Sequence, residues 1–200
     1  LSLLKKLIGQ AKHPRGFIGS LMLSIMNTSH TQMNVWAWEK VKIREDSVML
    51  DVGCGGGRTI QLLSIWNPQA RIYGIDYSEQ AVKDSIRANK ADIAEGKVHI
   101  QQASVTDIPF SDHTFDMITA FQTHYFWPDM ENSLKEIFRV LKVEGCLLIT
   151  ADLYKINYHM KSYQTKEDME QLLLKTGFSD VKIDENPAKK WIRIQGIKRT

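Results

Sequence analysis

The segment VMLDVGCGGGRTI, residues 48–60, constrains the fold more than any other. A short apolar run enters a turn with four glycines in five positions, and a helical pattern follows at once. Glycines at that density supply backbone dihedrals that side chains forbid and let another group approach the main chain. Strand, turn and helix make half of a βαβ unit. The rest follows in order: ARIYGID, KVHIQQ and FDMITAF read as strands two to four, and EGCLLITADL as a fifth, a continuous apolar run suited to a parallel sheet covered on both faces. Helical stripes alternate with them. Thr59, Leu62, Leu63 and Trp66 form the first; Val82, Ile86, Asn89 and Ile93, capped by Ser78 and ended by Gly96, form the second; Leu134, Ile137, Phe138 and Leu141 form the third. The alternation predicts an α/β chain on a parallel array.

Both ends depart from that pattern. Near the C-terminus, Thr165 and Asp168 have capping-box spacing, Met169, Leu172, Leu173 and Thr176 share a helix face, and Gly177 ends it. SDVKID and WIRIQGIK then follow with only ENPAKK between them, too short for a helical crossover, so these strands form an antiparallel hairpin and the sheet is mixed. At the N-terminus, apolar residues at helical spacing predict three short helices, divided by HPRG and NTSH. Residues 1–45 therefore read as a helical cap or lid, and residues 46–200 as the principal domain. The Met and Trp residues of the cap serve either as packing or as the lining of an apolar pocket, and the Lys5 and Lys6 helix is compatible with a membrane surface.

Composition removes several function classes. At 200 residues and 43% hydrophobic, the chain can bury one substantial core. A formal charge of +3, dispersed along the chain, gives no support for a nucleic-acid partner. No apolar stretch approaches the roughly 20 residues that span a bilayer, and LSLLKKLIG lacks a cleavage signature. Cys54 and Cys146 lie at no metal-ligand spacing, so the expectations are reduced thiols, a cytoplasmic location and no metal.

The glycine turn acquires meaning from Asp76, which ends the second strand 23 residues after Gly53. A carboxylate there accepts both hydroxyl protons of a ribose, so the pair indicates a nucleoside-containing ligand. A dinucleotide GxGxxG fingerprint from Gly53 needs glycine at 58, where Arg58 stands; registers from Cys54 or Gly55 meet Thr59 or Ile60. A P-loop is missing its GK[ST] triplet. Nicotinamide oxidoreduction is disfavoured and nucleoside triphosphates drop out.

On these residues a resemblance emerges. LDVGCGGG resembles the first motif of class I S-adenosylmethionine-dependent methyltransferases, IYGIDYS their acidic strand-two motif, ASVTDIPF the adenine-contacting loop, FDMITA the fourth strand, and LKEIFRVLKVEGCLLI the helix and strand that follow. The likeness covers about residues 47–150 and is closest to the small-molecule branch that includes ubiquinone and menaquinone C-methyltransferases. It implies a Rossmann-like seven-stranded sheet of order 3-2-1-4-5-7-6, with strand 7 antiparallel and helices on both sides. It also implies S-adenosyl-L-methionine as cofactor, S-adenosyl-L-homocysteine as product and a small-molecule methyl acceptor. Position by position, Asp51, Gly53 and Gly55, with Cys54 between the glycines, fall at the methionine end, and Gly57 opens the helix. Asp76 falls at the ribose, Tyr77 at the adenine, Ser104 and Val105 at its polar edge, and Phe121 on the pocket wall. Many relatives have Asp where this chain has Ser104, a hydroxyl that can still accept from the adenine amino group.

The acceptor side has no comparable signature. His124, in FQTHYFWPD after the fourth strand, is the candidate catalytic residue, since an imidazole can serve as base near neutral pH. His30 and Tyr154 are further candidates, equally suited to capping or pocket lining. Tyr125, Phe126 and Trp127, with Trp36 and Trp38, suit an apolar or planar acceptor and suit core packing too. The expected function is methyl transfer to such an acceptor; the alternative is an S-adenosylmethionine-binding protein that acts through a partner. Monomer and homodimer stay open.

Overall fold

A computed structural model describes residues 31–199. It begins with helical residues 31–38 (α1). There follow β1 (Val48–Val52), α2 (Arg58–Trp66), β2 (Arg71–Asp76), α3 (Glu79–Ala88), α4 (Lys90–Ala94), β3 (Val98–Gln102) and β4 (Phe115–Phe121). A single 3-10 turn at His124–Phe126 leads to α5 (Met130–Val140), β5 (Leu141–Asp152), α6 (Leu153–His159), α7 (Lys166–Thr176), β6 (Phe178–Asn186) and β7 (Trp191–Lys198).

The seven strands form one sheet in the order β3-β2-β1-β4-β5-β7-β6. Strands β1 to β5 pair in parallel, and β7 is antiparallel to both its neighbours, as the short linker before it requires. All five residues of β1 are buried, as its run of apolar residues predicts for a central strand covered on both faces. Side-chain alternation sorts the core into two layers. Leu50, Val52, Ile118, Leu147 and Ile149 face Leu134 and Ile137 of α5, Ile156 of α6 and Leu172 and Leu173 of α7. Met49, Met117 and Leu148 face Ala37 of α1 and Ile60 and Leu63 of α2.

Three local features differ from the sequence expectation. The helix predicted from Ser78 to Gly96 divides at Asn89, whose side-chain Nδ2 donates to Ser85 O (2.8 Å) and Gly57 O (3.2 Å). The amide leaves the helical path because it satisfies the carbonyl of the glycine turn. Leu141, which continues the apolar stripe of α5, instead opens β5 opposite Phe115; the strand reaches its regular register only at Cys146, after Glu144 at φ +65°. Helix α6 was not anticipated. By contrast, Ser78 caps α3 as expected, and Thr165 and Asp168 form both bonds of the capping box on α7, a device worth roughly 1 kcal/mol.

Of the segment read as a cap, residues 1–30, with His30, lie outside the described residues. Helix α1 is part of the sheet's covering layer. Trp38 stacks on Trp66 of α2 with centroids 5.2 Å apart, and Trp36 meets Trp191 of β7 at 6.0 Å. Arg193, 1% exposed, packs its guanidinium over Trp36, donates to the Trp36 and Ala37 carbonyls at 3.5 and 3.3 Å, and pairs with Asp184. It thus supplies a cation and donors where a helix end exposes carbonyls.

Lys198 performs the same service for α5. Its buried ammonium donates to Phe138 O (2.7 Å), Leu141 O (2.9 Å) and Arg139 O (3.5 Å), and it lies 4.6 Å from the Phe138 ring centroid. Lys198→Met keeps the stem and removes the ammonium donor from the Phe138 and Leu141 carbonyls, while Arg139 O retains the His113 N–H. The expected loss is about 1–3 kcal/mol of unfolding free energy in a denaturant titration; an unchanged midpoint would contradict the assigned role.

Candidate functional site

The carboxyl ends of β1, β2, β3 and β4 converge on the glycine turn, the position where open α/β sheets bind ligands. Asp51, one residue from the end of β1, lies opposite Gly74 of β2 and Thr119 of β4. Its Oδ1 accepts from Thr119 Oγ1 at 2.7 Å, and its side chain is sealed from solvent. Burial, reinforced by the nearby Asp76 charge and opposed by the Thr119 bond, raises its pKa to about 7.

The turn itself is fixed by backbone. The Gly53 and Cys54 N–H groups both donate to Ile75 O, at 2.8 and 3.0 Å, and Gly57 N–H donates to Cys54 O at 2.9 Å. Gly53 has φ +74°, and a Cβ there would lie 2.1 Å from Thr123 Oγ1. Gly57 has φ +83°, and a Cβ there would meet Asn89 and Ser85 of the neighbouring helix within 2.5 Å. Both positions therefore combine left-handed backbone with a close approach, which explains glycine at each. Cys54 is a buried packing residue. Burial, then Asp76 and Asp51, raise its thiol well above the ordinary value, so it is not a nucleophile at neutral pH.

Asp76 joins the turn to the next helix. Its Oδ2 accepts from Gly55 N–H and its Oδ1 from Ser78 N–H, each at 2.9 Å. Tyr77 follows with its ring exposed, and its carbonyl accepts from Gln102 Nε2 at the end of β3. The loop after β3 is tied to the same place through Ala103 N–H, which donates to Asp76 O at 3.1 Å. In that loop Ser104 Oγ is 2.7 Å from Thr106 Oγ1 and accepts from Thr106 N–H, and Val105 is buried. Phe121, nearly buried, ends β4. The sequence-selected residues of the cofactor half thus gather at one end of the sheet.

The arrangement has a chemical character. Asp76 presents carboxylate oxygens at a strand end, the place and group for ribose hydroxyls. Helix α2 starts with Gly57 as N-cap, no side-chain cap and no acidic residue in its first turn, leaving backbone donors suited to an anionic group. A nucleoside with an amino-acid tail fits both features.

Beyond β4 the character changes. His124 is fully buried, neither ring nitrogen has a hydrogen-bond partner among the described residues, and burial lowers its pKa to about 3, so the imidazole is neutral at physiological pH. It meets Tyr125 and Trp127 edge-on. Tyr154 is exposed on α6, and Tyr158 lies one turn further along. Sequence reasoning missed Gln122, at φ +60° between β4 and the 3-10 turn. Its Oε1 accepts from Tyr125 OH (2.8 Å), and its Nε2 donates to Asp152 Oδ2 (2.7 Å) at the end of β5, which Lys155 approaches at 3.6 Å. His159 stacks on Tyr125. The available signal was position: Gln122 and Asp152 follow or end parallel strands at their carboxyl edge. A separate groove of about 370 Å³, lined by Tyr73, His99 and Phe110 among others, lies at edge strand β3, and no residue named for the site lines it.

Comparison with known proteins agrees with this geometry. Residues 50–149 match a family model described as a methyltransferase domain. The ubiquinone/menaquinone biosynthesis C-methyltransferase UbiE of Geotalea daltonii is 33% identical over 115 residues, 57% of this chain and 49% of that protein. The chain spans about half the length of the curated relatives it matches. Among solved structures, phosphoethanolamine N-methyltransferase 2 of Haemonchus contortus in complex with S-adenosyl-L-methionine superposes with TM-score 0.72 at 15% identity, over 85% of this chain and 53% of that one. The [4+2]-cyclase SpnF superposes with TM-score 0.72 at 16% identity, over 84% and 81%. With sheet order, glycine turn, strand-two acid and domain match in agreement, the chain belongs to the S-adenosyl-L-methionine-dependent methyltransferase-domain family.

Proposed function

We propose that this chain transfers a methyl group from S-adenosyl-L-methionine to a small, apolar or planar acceptor held beyond β4 and β5, and releases S-adenosyl-L-homocysteine. The observation that carries the proposal is Asp76, fixed by Gly55 and Ser78 N–H groups at the mouth of an uncapped, glycine-led helix. Asp51, Gly53, Cys54, Gly55 and Gly57 form the methionine end, Asp76 holds the ribose, Tyr77, Ser104 and Val105 lie at the adenine, and Phe121 lines the pocket beyond β4. The bound cofactor supplies a methyl group on a sulfonium, electrophilic without further activation. The chain's task is then alignment, and proximity alone contributes on the order of 7–11 kcal/mol in favourable cases.

The aromatic group of Tyr125, Phe126 and His159, continued by Tyr154 and Tyr158, supports a planar acceptor, because ring faces bind rings. Relatives named as ubiquinone/menaquinone and demethylmenaquinone methyltransferases point the same way. His124 is the catalytic residue in this reading. With a pKa near 3 it orients an acceptor hydroxyl by accepting its hydrogen bond, and does not store the proton. No helix among the described residues is long and apolar enough to cross a membrane; the proposed location is the cytoplasm. A second reading, cofactor binding without methyl transfer, draws support from SpnF, a cyclase by title that shares the fold.

Tritiated methyl transfer from S-adenosyl-L-methionine into fractionated cell extract separates the two readings. Label in a small organic product is expected; cofactor binding by calorimetry with no labelled product in any fraction favours the second. His124→Phe is expected to keep cofactor affinity within about twofold while lowering turnover by roughly a hundredfold.

Asp51 gives a pH test. A carboxyl with its folded pKa raised to about 7 contributes stability below its unfolded pKa near 4, and loses it as pH rises through 7. A cationic ligand favours the ionised form. Cofactor affinity is therefore expected to rise between about pH 6 and 8, with proton release at pH 7 visible as a dependence of the calorimetric enthalpy on buffer ionisation. Asp51→Asn should remove both effects; an identical proton release in that variant would assign the titration elsewhere.

A further inference from the structure

We propose that Asn34 and Arg58 clamp the amino-acid end of the cofactor, Arg58 taking the α-carboxylate and Asn34 the ammonium, which makes α1 part of the binding site. The inference rests on the cofactor reading above and extends it to residues that no motif assigns; Asn34 lies outside the matched residues 50–149.

Arg58 is the first residue of α2, directly after the glycine turn. A cation at the first helical position adds to the positive end of the helix dipole and is unfavourable unless an anion balances both. Among the described residues it makes no ion pair. Its Nε donates to Thr31 Oγ1 of α1 at 3.5 Å and its Nη1 to Gln61 Oε1 at 3.2 Å, both neutral acceptors. Asp76, an acid beside the turn, accepts from the Gly55 and Ser78 N–H groups. Two positive elements thus coincide at an uncapped helix start, and among the described residues no side-chain carboxylate pairs with Arg58.

Asn34 is an independent observation. It is 2% exposed, and its Nδ2 donates to Thr59 Oγ1 at 3.1 Å, which sets the amide against the first turn of α2. Its Oδ1 is buried and has no hydrogen-bond partner among the described residues. A desolvated carbonyl oxygen without a donor is costly, and it is the group that an ammonium, a donor in three directions, satisfies. A cation and an orphan acceptor on adjacent helices match an α-amino acid, which carries its carboxylate and ammonium on one carbon. Neither feature matches the uncharged adenosine half.

The test compares three ligands by calorimetry: S-adenosyl-L-homocysteine, decarboxylated S-adenosylmethionine, and 5′-methylthioadenosine, which has no amino-acid group. Arg58→Ala is expected to weaken S-adenosyl-L-homocysteine about tenfold or more. The same variant should change the other two ligands by less than about twofold, and Arg58→Lys should recover part of the loss. Asn34→Ala should weaken both ammonium-bearing ligands about fivefold and spare 5′-methylthioadenosine. Retained 5′-methylthioadenosine affinity shows that a variant has folded. Equal losses for all three ligands, or no loss for any, overturn the clamp while leaving the cofactor reading intact if the unsubstituted protein binds 5′-methylthioadenosine. Binding of neither S-adenosyl-L-homocysteine nor 5′-methylthioadenosine by that protein overturns the cofactor reading, and the clamp with it.

Discussion

The carboxylate of Asp76 is the constraint on which the rest of the site depends. It accepts one N–H from the glycine turn and one from the start of α3, so a single side chain sets the spacing between two loops. The preceding residue repeats the arrangement in backbone, Ile75 O taking both Gly53 and Cys54 N–H groups. A turn made of residues with wide conformational freedom is thereby held in one conformation before any ligand arrives. The entropy of ordering that loop is met by folding, which leaves more of the contact energy for binding.

The two halves of the site have opposite characters. Toward β1 and β2 there are carboxylates and backbone donors; toward β4 and β5 there are rings and a neutral imidazole. Gln122 lies at the border, its amide linking Tyr125 OH to Asp152 and so tying the β4 turn to the end of β5. Held at φ +60°, it accepts backbone strain for that position. The polar end of the site and its aromatic end thus adjoin at one residue.

What the sequence revealed follows from which forces are local. The strand alternation, the hairpin after β6 and the roles of Gly53, Gly57 and Asp76 depend on near neighbours and on repeating rules of α/β folds, and each can be read from spacing. The break at Asn89 was hidden because the apolar stripe continues through it; its cause is a carbonyl 32 positions earlier. The start of β5 at Leu141 was hidden for the same reason, since a helix stripe and a buried strand both call for leucine there. At the acceptor end, His124 was legible as a residue but its environment was not: the low pKa comes from burial by segments that the local sequence does not mention. Asn34 had no signal at all, because an asparagine on an apolar helix face shows its unsatisfied oxygen only once α2 is packed against it.

The bond from Arg193 to the end of α1 joins residues 157 positions apart, and the cation that completes the helix comes from β7, the last strand among the described residues. In synthesis that strand follows the other six strands of the sheet. The bond that Arg193 makes to α1 therefore requires β7 in its place between β5 and β6, whereas Trp38–Trp66 and Asn34–Thr59 hold the same helix against α2 through contacts closer in sequence. A polypeptide truncated before Arg193 would retain the residues of the glycine turn and Asp76 but lose the guanidinium that binds the last carbonyls of α1, leaving that helix to its contacts with α2.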